Sequence, residues 1–131
     1  MNMHSIHHIS IVVRDLETAC ERYSILLGSS PEFHELALRQ VKTAAYSIGS
    51  SYIVLVQPLV VDCAVGQILA KKGEGVFLVS IGVNDIDETL ARLELDAVAS
   101  RQGIKDWSIS DMNDYYELGL ILQLTQDPSK N

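Results

Sequence analysis

Ile6-His7-His8-Ile9-Ser10-Ile11-Val12-Val13 runs straight into Arg14-Asp15-Leu16-Glu17, and the whole stretch returns later in the chain. Residues 8–22 overlay residues 78–92. Ser10 meets Ser80, Ile11 meets Ile81, Val13 meets Val83, Asp15 meets Asp85 and Arg22 meets Arg92. Leu16 falls on Ile86 and Glu17 on Asp87, both conservative pairs. Further on, residues 54–57 overlay residues 123–126, and Gln57 meets Gln126. A repeat this long with two copies is not a solenoid unit. It predicts a domain made of two similar halves. Two mismatches inside the repeat, His8 against Leu78 and Val54 against Gln123, bear on function.

Working outward, residues 5–13 read as a strand buried on both faces, with Ile9, Ile11 and Val13 on one and His8, Ser10 and Val12 on the other. Asp15 suits a helix N-cap, and Leu16, Ala19, Cys20, Tyr23, Leu26 and Leu27 recur at helical spacing up to Gly28. Strands are predicted at 35–39, 42–48 and 52–57, with Gly49-Ser50-Ser51 as a hairpin and Pro58 as a stop. Residues 65–72 form a short helix closed by Gly73 and Gly75. The second half repeats this order. It has a strand at 76–83, a helix from Asp85 to about residue 95 with Glu88 completing a capping box, and strands at 97–101, 106–111 and 118–126. Residues 127–131 read as a frayed tail. The expected fold class is α+β: two tandem βαβββ modules forming a cupped mixed sheet. The chain is one domain over 1–131, with a first module at 5–58, a linker helix at 59–75 and a second module at 76–126.

The totals narrow the function. A net charge of -7 argues against nucleic acid or an anionic membrane as partner. No apolar run approaches the roughly 20 residues of a membrane span, and Met1-Asn2-Met3-His4-Ser5 does not open a signal peptide. Cys20 and Cys63, without a Cys-x-x-Cys, read as reduced thiols of a cytoplasmic protein.

The opening His8-Ile9-Ser10-Ile11-Val12-Val13-Arg14-Asp15-Leu16, the strand end Leu55-Val56-Gln57-Pro58-Leu59 and the entry Lys71-Lys72-Gly73-Glu74-Gly75-Val76 carry a family resemblance. Over about residues 6–126 the chain resembles the vicinal oxygen chelate (glyoxalase / bleomycin resistance / dioxygenase) superfamily. Within it, methylmalonyl-CoA epimerases and glyoxalase I-like proteins are the most similar. The resemblance implies two modules closing into a half-barrel around one cavity. In metal-using members, ligands from the first and last strand of each module hold a divalent ion, which binds vicinal oxygens and stabilises an enolate. A nearby carboxylate moves the proton at carbon.

Carried over position by position, the first-strand histidine is His8 and the final-strand glutamate is Gln123. The other two ligand positions fall on Val54 and Leu78. Hydrocarbon cannot coordinate, and the amide has no useful basicity. The other acid that the resemblance implies falls near Leu38-Arg39-Gln40-Val41, where there is no carboxylate. The expectation is a family member whose divalent-metal site is lost, with no cofactor, unless another residue rebuilds the site. Its cavity would accept a partly apolar small molecule.

His8 is the candidate catalytic residue, as a proton-transfer group, and also a candidate ligand binder. Ser10, Val54, Leu78, Ser80 and Gln123 are expected in the cavity, with Ser10 and Ser80 close together on its floor. Arg39, Arg101 and Trp107 are candidates for its mouth, Tyr46 and Tyr52 for its walls, and Asp111 and Asp114 for a general base. Each competes with an ordinary surface or core role. His4-x-x-His7-His8 invites a metal claim, but on a regular strand His7 and His8 point to opposite faces, so no shared ion is expected. Three readings follow: a small-molecule-binding protein, an isomerase or lyase of the methylmalonyl-CoA epimerase or glyoxalase type using His8, or a dimeric interaction module. A homodimer is expected.

Overall fold

The computed structural model describes residues 3–94 and 100–130. Among the described residues, eight strands form one curled sheet: β1 (Met3–Val12), β2 (Glu32–Leu36), β3 (Val41–Ile48), β4 (Ser51–Pro58), β5 (Gly75–Val83), β6 (Arg101–Gln102), β7 (Ser108–Asp111) and β8 (Ile121–Gln126). The helices are α1 (Leu16–Leu27), α2 (Ala64–Lys72), α3 (Ile86–Arg92) and α4 (Tyr115–Leu118).

The strand order β2-β3-β4-β1-β5-β8-β7-β6 has the symmetry that the repeat predicts. Each half places its first strand parallel to its last, β1 beside β4 and β5 beside β8. The halves meet where β1 and β5 run antiparallel. Equivalent residues make equivalent bonds. Asp15 Oδ1 accepts from Thr18 N at 3.1 Å, and Asp85 Oδ1 accepts from Glu88 N at 2.9 Å. Gln57 Oε1 accepts from Leu16 N at 2.7 Å, and Gln126 Oε1 from Ile86 N at 2.9 Å. In each half the last strand therefore satisfies an orphan N–H of the helix that follows the first strand.

The two faces of the sheet bury different sets. On the convex side, α1 covers Val13, Ala44, Tyr46 and Leu55, while α3 packs with Val83 and Leu124. The concave side gathers Val41, Val54, Val56, Phe77, Leu78 and Ile109, and Cys63 and Ile68 from α2 and its cap close part of it. Gly66 lets α2 seat there, because a Cβ would strike the backbone carbonyls of Val60 and Val61.

Several boundaries differ from the sequence expectation. β2 lies at Glu32–Leu36 rather than 35–39, because Ala37–Arg39 turn as a 3-10 segment and Gln40 takes a left-handed φ of 57°. Helix α3 stops at Arg92, short of residue 95. The strand expected at 97–101 lies mostly outside the described residues, where β6 begins at Arg101. β7 starts at Ser108 rather than 106. β8 starts at Ile121 rather than 118, because α4 intervenes, capped by Asp114 and ended by Gly119 at φ 77°. Nor is the tail frayed at Asp127, which is 3% exposed.

Candidate functional site

Register places a row of side chains across the cup. His8 pairs with Tyr52 and with Ser80, Ser80 pairs with Gln123, and Gln123 with Asp111. The next row holds Val54, Ser10, Leu78 and Ile121. The concave face encloses a cavity of about 790 Å³, lined by parts of both rows. His8, Ser10, Arg39, Val54, Leu78, Trp107 and Gln123 line it, as do Arg101 and Asp111. Val54 and Leu78 thus meet the cavity as hydrocarbon, at 4% and 7% exposure.

The remaining candidates lie elsewhere. Tyr46 is corrected to the convex face, where its hydroxyl bonds Ser24 Oγ at 2.9 Å and the Cys20 carbonyl at 3.2 Å. Tyr52 is off the cavity wall, its ring 5.4 Å from His7 and 5.0 Å from Trp107. Ser80 is fully buried, its hydroxyl engaged by Thr125 Oγ1 and the Gln123 carbonyl, so it does not share an open floor with Ser10. The Asp114 carboxylate caps α4 through Tyr116 N and Glu117 N.

The expectation that His7 and His8 face apart is also corrected. Ile6 pairs with Ile81 and His8 with Ser80, leaving His7 as the extra residue of a bulge. A bulge re-aims side chains, and here it brings both rings together. His7 Nδ1 lies 2.9 Å from His8 Nδ1, and His7 Nε2 lies 2.7 Å from Asp127 Oδ2. Trp107 stacks on His8 at 5.0 Å and meets His7 edge-on at 4.4 Å. Asp127–His7–His8 is therefore a buried chain that ends at the cavity wall. Neither His7 nor Asp127 was a site candidate from sequence. The adjacent His7-His8 doublet was a signal available only to a reader who allowed for a bulge.

Burial sets the electrostatics. It pushes His8 down to about 3, helped by His7 and opposed by Asp127. Burial also lowers His7, outweighing the hydrogen bond and charge of Asp127. Burial alone would raise Asp127, but hydrogen bonds from His7 and Ser129 hold its carboxyl below its ordinary value. Burial, then the neighbouring Arg101 charge, takes Arg39 down to about 10 against the pull of Asp111. Arg39 Nη2 donates to the Gln102 carbonyl at 2.6 Å, and Arg101 Nη2 to Asp111 Oδ2 at 2.8 Å.

At the far side of the row, Gln123 Nε2 donates to Asp111 Oδ1 at 2.8 Å. Its Oε1 is buried and, among the described residues, has no hydrogen-bond partner. Also among the described residues, no three His, Cys, Asp or Glu side chains gather as they would around a metal ion.

Comparison with known proteins agrees with this architecture. Residues 7–113 match the family described as the Glyoxalase/Bleomycin resistance protein/Dioxygenase superfamily. A Streptomyces coelicolor methylmalonyl-CoA epimerase variant in complex with 2-nitronate-propionyl-CoA superposes with a TM-score of 0.83 at 28% identity, covering 94% of this chain and 96% of that one. A methylmalonyl-CoA epimerase in complex with methylmalonyl-CoA and NH4+ gives 0.87 at 27% identity, covering 98% of both chains. The uncharacterized protein YqjC of Bacillus subtilis (strain 168) is 28% identical over 130 residues, covering 95% of this chain and 93% of its own length. On the repeat, the sheet and the extent of the match, the chain belongs to the glyoxalase/bleomycin resistance protein/dioxygenase superfamily.

Proposed function

We propose that this protein binds a small, partly apolar organic molecule in the cupped cavity, without a resident divalent ion. One observation carries the reading. Val54 and Leu78 present hydrocarbon to the cavity at two of the four positions where the family's metal-using members place ligands. His8 and Gln123 supply two neutral donors, fewer than the roughly three protein ligands of a catalytic metal site. The nearby carboxylate of Asp111 is engaged by Arg101 and Gln123, and two arginines on the wall make a poor setting for a second cation.

The volume suits a ligand. About 790 Å³ lies within the range of about 300–1,000 Å³ typical of small-molecule sites. Arg39 and Arg101 suit a carboxylate or phosphate on that ligand. Acyl-CoA esters head the panel to be tried, since the similar epimerases carry them. In a thermal-shift screen, a binder raises the melting temperature with its concentration while divalent ions leave it unchanged. Stabilisation by a divalent ion alone would contradict the reading. We also propose a homodimer, which sedimentation velocity measures.

A second reading is an isomerase or lyase in which His8 moves a substrate proton. The continuous Asp127–His7–His8 chain favours it, since a carboxylate behind a histidine pair can steady a proton arriving at the cavity. Its signature is exchange of a substrate α-proton with deuterated solvent, lost in His8→Ala. Exchange that persists in that variant would remove this role from His8.

A further inference from the structure

We propose that the deep end of the cavity presents two hydrogen-bond acceptors, each set by a carboxylate-anchored relay, and that each of them receives a hydroxyl or amide N–H hydrogen of an otherwise apolar ligand. The proposal rests on the ligand-binding reading above and specifies the ligand's polarity.

The first relay starts at Asp127. Its carboxylate accepts from His7 Nε2, and its Oδ1 also accepts from Ser129 N at 3.0 Å and Ser129 Oγ at 2.7 Å. A carboxyl serving three donors is an acceptor, so the proton in the His7 contact sits on His7 Nε2. His7 is fully buried between Tyr52 and Trp107, a setting that disfavours a second, charge-bearing proton on the ring. Its Nδ1 is then a bare acceptor, and His8 Nδ1 must carry the hydrogen of the 2.9 Å contact. A neutral imidazole with Nδ1–H has an unprotonated Nε2. His8 lines the cavity, so that lone pair is the one offered to a ligand.

The second relay is shorter. Asp111 Oδ1 accepts from Gln123 Nε2, which fixes the amide orientation by chemistry, because the opposite flip would set two acceptors against each other. Gln123 Oε1 is left buried, on a residue 2% exposed that lines the cavity, with no partner among the described residues. Unpaired buried acceptors are uncommon and call for an occupant. His8 and Gln123 lie in one row, separated by Ser80. Both lone pairs therefore belong to one end of the cup, with the hydrocarbon of Val54 and Leu78 in the row beside them. A group that donates fits this end, and a carboxylate does not. The anion-binding capacity lies at Arg39 and Arg101.

Two measurements decide it. Two-bond proton–nitrogen correlation spectra of histidine-labelled protein at neutral pH, assigned with His8→Ala, report the tautomers directly. The expected result is His7 as Nε2–H and His8 as Nδ1–H. His8 found as Nε2–H, or averaged between both forms, overturns the proposal. Asp127→Ala is expected to release His8 to a mixture; should that variant fail to fold, the wild-type spectrum still decides. The second measurement titrates phenol against anisole, which lacks only the donor. Phenol is expected to bind about tenfold more tightly, the worth of one good buried hydrogen bond, and to shift the His8 Nε2 resonance. Equal affinities without that shift overturn the subsite while leaving a ligand-binding cavity. Neither probe moving any cavity resonance, alongside failure of the thermal-shift panel, removes the ligand-binding reading as well. Cobalt(II) that binds one per chain and displaces phenol would show the lone pairs serving a metal instead.

Discussion

His7 and His8 share a side of β1 only because the register slips by one residue between Ile6 and His8. That slip, and a carboxylate 120 residues away in the chain, create the buried cluster. Its pH behaviour follows by sign. Burial holds both histidines below the ordinary 6.5, so the folded protein takes up fewer protons than the unfolded chain once pH falls through that value. Stability should therefore decline from about pH 6.5 downward, and His8, at about 3, keeps contributing to the loss far into the acid range. Asp127, held below 3.8, adds its own loss as pH falls past that value. Melting temperatures from pH 8 to pH 3 test this; a profile as flat in wild type as in His8→Gln would contradict it. His8, Val54, Leu78 and Gln123 could be placed from sequence because the repeat aligns them in pairs and the family resemblance sets those positions in the cavity. His7 and Asp127 could not, because a bulge and a long-range contact leave no local pattern.

Each half closes its first helix with the same two devices, an Asp cap and a glutamine from the last strand. Asp15→Ala should cost about 1 kcal/mol, as typical N-cap losses do, and Gln57→Ala a similar amount for one orphaned N–H. Urea unfolding of the two variants would measure both; losses near zero would mean that water replaces these bonds freely. Gly66→Ala should cost more, roughly 1–3 kcal/mol, because its Cβ meets backbone rather than a side chain that can swing away. The strands and helices common to both halves were legible in the hydrophobic pattern and the repeat. What the pattern missed are the short elements without a counterpart. Helix α4 was marked by Asp114 and Gly119, but its four residues are too few to show a helical period. The turn at Ala37–Arg39 is decided by the positive φ of Gln40, which glutamine does not announce.

At the scale of the molecule, the two halves are not separable bodies. β1 and β5 pair along most of their lengths, and the concave core draws residues from both modules. Unfolding should therefore be one cooperative transition, with tryptophan fluorescence, which reports Trp107, coinciding with far-ultraviolet circular dichroism. Two separated transitions would mean that the modules unfold independently. The same architecture makes the cavity shared property, with His8 and Val54 from the first module and Leu78 and Gln123 from the second. Substituting Val54→Gln and Leu78→His together should convert the hydrocarbon wall into a divalent-ion site, read as cobalt(II) binding that the parent lacks.

The most direct test of metal-independent ligand binding is the metal content of untagged protein, by elemental mass spectrometry after dialysis against Mg, Mn, Co, Ni and Zn together. The account predicts far less than one ion per chain, unchanged in His8→Ala. About one ion per chain, lost in His8→Ala, would contradict it and return the cavity to metal-assisted chemistry.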